Sequence, residues 1–299
     1  MNNLWRRRRY IFGSGGGGDF AAGGGGGGGS PFSNQYSSFF VGASPSNATG
    51  SYGITSSLSG FPIDSPAGFS LSLWVYASGT GVNTWNGGTS MTIASVGNQG
   101  SGGGSRLLSW ALKTRDSNGT TLEFAFATSP DQFNTFYRFT APDVFTWNHI
   151  FVVYNPNGFD NNDRAKAWVN GVAQLTSSGF SGFIPTGTLS SSTWPLSIGA
   201  QPTGRFGAQA IDEICVYNSA LTGTHATALY NAGTPTDPRT ITGSTNLVHY
   251  WRMGDGDTFP NIQDQITSFA GISPMDLGMR SGDPAHFTAS VPPLGSIGW

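Results

Sequence analysis

Residues 69–77 read FSLSLWVYA. Phe69, Leu71, Leu73 and Val75 fall on one face and Ser70, Ser72, Trp74 and Tyr76 on the other, the period of two expected of a strand with one buried face. LEFAFAT (122–128) repeats the device with Leu122, Phe124 and Phe126 aligned. HIFVVY (149–154) is almost continuously apolar, as a central strand requires. In KAWVNGVAQL (166–175), Asn170-Gly171 separates two strand-favouring runs, a tight hairpin turn that needs positive φ. Further strands are predicted at 196–200, 211–217 and 247–253. Between the last two, ALTGTHATALYNAG (220–233) predicts one short helix, capped by Thr222 or Thr224 and stopped at Gly233.

Composition agrees with this pattern. The chain of 299 residues has 45 Gly and 17 Pro, and its charged residues are only 10%, whereas soluble domains average about 25%. Many turn formers, many short strands, one helix and no βαβ alternation predict two packed antiparallel sheets. The net charge of −2 offers no broad attraction to nucleic acid. The single cysteine, Cys215, excludes an intramolecular disulfide and is expected to be a small buried side chain. No stretch approaches a membrane span, and Tyr10, Ile11 and Phe12 run directly into glycines without the apolar core of a signal peptide. A reducing cytoplasm is therefore the expected folding environment.

Residues 4–30, LWRRRRYIFGSGGGGDFAAGGGGGGGS, differ from everything after them. Gly15–Gly18 and Gly23–Gly29 lose the most backbone entropy on ordering, so the stretch reads as a tether. Its tip, Trp5, Arg6, Arg7, Arg8, Arg9, Tyr10, Ile11 and Phe12, has three readings. It is an assembly peptide with aromatic anchors and paired charges, a phosphate-binding arm, or a solvated tail.

Six pieces, in order, resemble the concanavalin A-like jelly roll of laminin G type: FSLSLWVYA (69–77), WNHIFVVYN (147–155), AKAWVNGVA (165–173), PLSIGA (195–200), IDEICVYNSALTGTHATALYNAG (211–233) and LVHYWRMGDGD (247–257). YWRMGDGDTFPNIQD (250–264) is similar to a version of this domain found in structural proteins of marine tailed phages. The resemblance implies an all-β, two-sheet antiparallel jelly-roll sandwich with one short helix, to which the composition adds an extended Gly-rich N-terminal arm. The expected organisation is an arm at 1–30, the jelly roll at 31–260, and a C-terminal extension at 261–299 that packs on the sandwich or on a neighbour. One departure is His225, where the helix of such domains usually carries an acidic residue.

The superfamily includes β-glucan hydrolases, and retaining glycosidases need two carboxylates about 5–5.5 Å apart. Only two glutamates exist, Glu123 and Glu213, and Asp212-Glu213 in AIDEICVY are expected to point to opposite faces of one strand. No catalytic residue is assigned. Calcium is the one cofactor the sequence offers, through Asp160, Asn161, Asn162 and Asp163 in FDNNDR and Asp255, Asp257 and Asp264 in GDGDTFPNIQD, although such clusters also serve ordinary turns. Trp85, Trp110, Trp194 and Phe206 lie in Gly/Asn/Ser-rich surroundings and are the candidates for stacking on sugars.

The expected function is that of a non-enzymatic virion structural protein, assembled in the host bacterial cytoplasm, in a capsid-decoration, head-fibre or tail-associated position. Capsid or tail subunits are its expected partners, through the arm. A homo-oligomer, with a trimer as one form, and a host surface glycan complete the set; nucleic acid and membrane are not expected partners. The alternatives are a host-glycan-binding adhesin and, behind it, a polysaccharide hydrolase.

Overall fold

The computed structural model describes residues 34–40, 52–55, 61–77, 91–97, 108–115, 119–129, 132–175, 180–187, 189, 195–200, 209–258, 260–267, 275–280, 287–288 and 292. Met1–Pro31 and Phe32–Trp299 are separate units. The arm residues Trp5 to Phe12 lie outside the described residues, all of which belong to the second unit.

Alternating apolar residues fold here into strands in which every second side chain meets a facing sheet. In chain order these are β1 (Ser37–Phe40), β2 (Tyr52–Thr55), β3 (Phe69–Ala77), β4 (Thr92–Gly97), β5 (Leu108–Thr114), β6 (Thr121–Ser129), β7 (Gln132–Thr140) and β8 (Trp147–Tyr154). A one-turn helix, α1 (Asn161–Arg164), leads into β9 (Ala165–Val169), β10 (Val172–Gln174), β11 (Phe180–Ser181), β12 (Leu196–Ile198) and β13 (Gln209–Tyr217). Then come α2 (Gly223–Tyr230), β14 (Leu247–Trp251), β15 (Asn261–Ile262), β16 (Leu277–Arg280) and β17 (Phe287–Thr288). The first sheet is ordered β10-β9-β8-β3-β13-β1-β17, with β14 also paired to β13. The second is ordered β11-β7-β6-β5-β4-β12-β2-β16-β15.

The inward faces supply the core. Leu71, Leu73 and Val75 of β3 meet Trp110, Leu112, Leu122, Phe124 and Phe126 of the second sheet in one buried cluster. Its centre is aromatic, with Phe69 5.4 Å from Trp110 and Phe126 5.2 Å from Tyr154, ring centroid to centroid. The near-continuous apolar run of β8 has a second cause. Ile150 and Val152 face the core, whereas Phe151 and Val153 face outward and are covered, together with Trp168, Cys215 and Tyr217, by Ala226 and Leu229 of α2. A strand buried on both faces loses its alternation.

Local signals act as the sequence indicates. Asn170 (φ 51°) and Gly171 (φ 73°) form the turn between β9 and β10. Thr222 precedes α2, and its backbone N–H donates to His225 Nδ1 at 3.2 Å. His225 thus supplies the reciprocal acceptor that an acidic side chain usually gives at this helix position. From Gly271 to Trp299 the sequence is proline- and glycine-rich without clear periodicity, yet β16 pairs with β2 and β17 with β1. These strands have four and two residues, too few to display a period.

Candidate functional site

The acid pair on β13 does not alternate. Against β3, Asp212 pairs with Trp74 and Cys215 with Ser72, so Glu213 and Ile214 together oppose Leu73 alone. This is a β-bulge, and Glu213 takes φ 49° to make it. Ile211 and Ile214 both reach the core between the sheets. The extra residue therefore leaves Asp212 and Glu213 on the same outer side of the sheet, a correction to the opposite-face expectation. Strict period two fails at a bulge, and the sequence carries no glycine there to announce it.

Both acids are buried, at 0% and 4% exposure, and both have partners. Asp212 accepts from Asn34 Nδ2 at 3.0 Å and from the Glu213 backbone N–H at 2.9 Å. Glu213 accepts from the Tyr250 hydroxyl, and Arg252 Nε lies 3.5 Å from its other oxygen. Burial and the neighbouring Glu213 charge push Asp212 well above the carboxylate range, and burial raises Glu213 to about 7. A near-neutral carboxyl would suit a general acid, but both acids are buried and already hold protein partners.

Loop 252–257 completes the cluster. Asp255 accepts from the backbone N–H groups of Gln35 (3.0 Å) and Tyr36 (2.9 Å) and from Arg252 Nη2 at 2.7 Å. Asp257 accepts from Gly254 N and Gln263 N, each at 2.8 Å. A side chain at Gly254 would bring its Cβ within 2.9 Å of Tyr36 Cβ, so the loop can close over the start of the described chain only with glycine there. Both oxygens of each carboxylate are engaged by N–H donors that tie the loop to the chain around it.

In FDNNDR, Asp160 accepts from Asp163 N at 3.0 Å as the N-cap of α1, and Asp163 pairs with Lys166 at 3.2 Å. Among the described residues no group of three His, Cys, Asp or Glu is placed to hold a metal ion.

Two further polar centres were not visible in sequence. His249 Nδ1 meets Asp264 Oδ2 at 2.7 Å, and Asp264 also accepts from the backbone N–H groups of Tyr250, Ile266 and Met275, each at 3.0 Å. It pins the chain after β14 and is structural. On the second sheet, Glu123 lies between Lys113 (2.6 Å) and Arg138 (2.9 Å). Residues 113, 123 and 138 are direct cross-strand neighbours, a relation that only register reveals.

Among the sugar-stacking candidates, Trp110 is corrected. It lies in β5 with 0% exposure, packed on Phe61, Phe69 and Phe124. Glycines and serines nearby suggested a loop, whereas they flank a core strand. Trp85, Trp194 and Phe206 lie outside the described residues.

Fold and site together define a two-sheet jelly roll of lectin type in which Asp212 and Glu213 are buried and partnered. Residues 47–227 match a family model described as the concanavalin A-like lectin/glucanases superfamily, and the chain belongs to that superfamily. Among solved structures it is similar to a Bacteroides ovatus protein assigned to carbohydrate binding, at 17% identity and TM-score 0.53, covering 83% of this chain and 59% of that one. A heptameric SAP-like pentraxin from Limulus polyphemus is similar at 11% identity and TM-score 0.45, over 66% of this chain and 82% of that one. A Trypanosoma rangeli sialidase is similar at 14% identity and TM-score 0.37, over 55% and 23%. These likenesses concern the fold. A search of curated proteins gave no match.

Proposed function

We propose that this chain is a non-enzymatic structural protein of a virion, fastened by its arm, residues 1–30, to a capsid or tail neighbour and displaying its jelly roll outward. The observation that carries the non-catalytic part is the occupation of the acids: both glutamates of the chain are buried and paired, one between two cations and one with Tyr250 and Arg252. The virion context rests on the resemblance of residues 250–264 and on the composition of the arm, whose aromatic and arginine tip suits a groove on another subunit. Ordering a glycine-rich tether is costly, and several arms on one homo-oligomer offset that cost through effective concentration.

The test is protease protection around Arg6–Arg9, compared between intact assemblies and isolated protein. Protection in assemblies alone is the expected result; equal cleavage in both removes the anchor reading. Release of reducing ends from polysaccharide by the purified protein, abolished by Glu213→Gln, would overturn the non-enzymatic part.

A second reading is favoured by the likeness to the Bacteroides ovatus protein, which shares the fold over most of this chain. In it the displayed body binds host surface glycans. The two are compatible, since a protein that decorates a particle can also hold a cell.

A further inference from the structure

Two of the exposed apolar side chains, Phe159 at 90% and Phe183 at 59% exposure, are held by one pair of polar residues. Scattered exposed apolar groups are ordinary. These two differ because the structure fixes their backbones. The Phe159 loop is tied at both ends: Asn157 N donates to Asn155 Oδ1 at 3.1 Å, Asn157 Nδ2 donates to the Pro66 carbonyl at 2.7 Å, and Asp160 caps α1. Arg164, buried beneath, donates from Nη2 to the Phe159 carbonyl at 3.0 Å, and its guanidinium carbon lies 4.3 Å from the Phe183 ring centroid. Asn161 brackets Phe183, donating to the Gly182 carbonyl at 3.2 Å and accepting from Ile184 N at 2.9 Å.

The backbone that carries both rings, and the Phe183 ring against Arg164, are therefore ordered before a ligand arrives, and preorganisation of this kind raises the affinity of a small site. The surroundings select the ligand. Asn157, Asp160 and Asn162 are exposed, and Asp163 and Lys166 form a half-exposed pair. Formal charge balances, with Asp160 and Asp163 against Arg164 and Lys166. A protein partner calls for a broader apolar centre shielded from water. Rings set among carboxylate and carboxamide groups, without net charge, instead match a sugar, whose C–H face stacks on a ring while its hydroxyls find acceptors.

We propose that Phe159 and Phe183, flanked by Asp160, Asn162 and Asp163, form a binding site for an uncharged oligosaccharide. The proposal rests on the glycan-binding reading of the body and gives that reading a location.

It is tested by native affinity electrophoresis of the full chain through gels containing laminarin, yeast mannan, galactomannan or dextran, with heparin as the charged control. At least one neutral polysaccharide is expected to retard the protein. Phe159→Ala and Phe183→Ala should each weaken that retardation at least fivefold, Phe159→Trp should keep it, and Val172→Ser, an exposed apolar control on β10, should leave it unchanged. Urea midpoints equal to the parent's establish that the variants are folded. Retardation that survives both alanine variants overturns this location and leaves glycan binding standing. Absence of retardation by every neutral polysaccharide overturns both. A fall in oligomeric state in Phe159→Ala, with retardation unchanged, makes the patch a contact between copies and also overturns the proposal.

Discussion

The chain's two glutamates are both buried, one on each sheet, and they are stabilised by opposite means. Glu123 occupies a regular ladder, with Lys113 and Arg138 directly opposite on the flanking strands and both within 3 Å. Glu213 occupies a bulge, beside another buried acid, with one guanidinium at 3.5 Å and a tyrosine hydroxyl. Burial of an acid thus takes two forms here. It is compensated by charge where register supplies cations, and by proton retention where the bulge encloses Asp212 and Glu213 away from water.

The largest expected effect comes from the compensated site. Glu123→Ala leaves Lys113 buried without its counter-ion and should cost about 3–5 kcal/mol in urea unfolding. A loss under about 1 kcal/mol would mean that Lys113 reaches solvent, and the contrast between the two sites would collapse. Next comes Asn34→Ala, which removes the donor to buried Asp212 and should cost about 1–3 kcal/mol by the same measurement.

Glu213→Gln should change stability at pH 5 by only about 1 kcal/mol, because a neutral amide can still accept from Tyr250. Its signature is pH dependence. The folded-state value of Glu213, about 7, lies above its ordinary 4.5, so the fold retains a proton that the unfolded chain releases. That contribution is complete below about pH 4.5 and is lost as pH rises through about 7. Thermal unfolding of the variant should therefore fall less than the parent's across this window; parallel curves would mean that Glu213 ionises freely.

His149 sets the opposite limit. Burial lowers it from 6.5 to about 3, with Nε2 held 2.8 Å from Ser72 Oγ. The unfolded chain takes up a proton that the fold refuses, so stability is lost as pH falls from about 6.5 toward 3. His149→Gln should flatten that acid limb. An unchanged limb would assign it to other groups.

Much of the scaffold was legible. FSLSLWVYA, the Asn170-Gly171 turn and the capped α2 carry their physics within a few neighbouring residues, so their places follow from local pattern. The site was less so. Trp110 looked loop-borne because local composition reports turns near a strand and not what the strand packs against. Asp212 and Glu213 were separated by an alternation that the bulge cancels. Phe159, inside the very segment that offers calcium ligands, carried no signal, because exposure depends on how two distant loops, 157–164 and 180–184, are tied by Arg164 and Asn161.

By itself, then, the sequence determined that this chain makes two antiparallel sheets with one capped helix, because strand period, turn chemistry and capping are short-range. Only the tertiary structure decided which polar groups are spent. The partners of Asp212, Glu213, Glu123 and Asp264 lie on other strands and loops, and hydrogen-bond geometry, unlike hydrophobic period, exists only after register and bulges have set it.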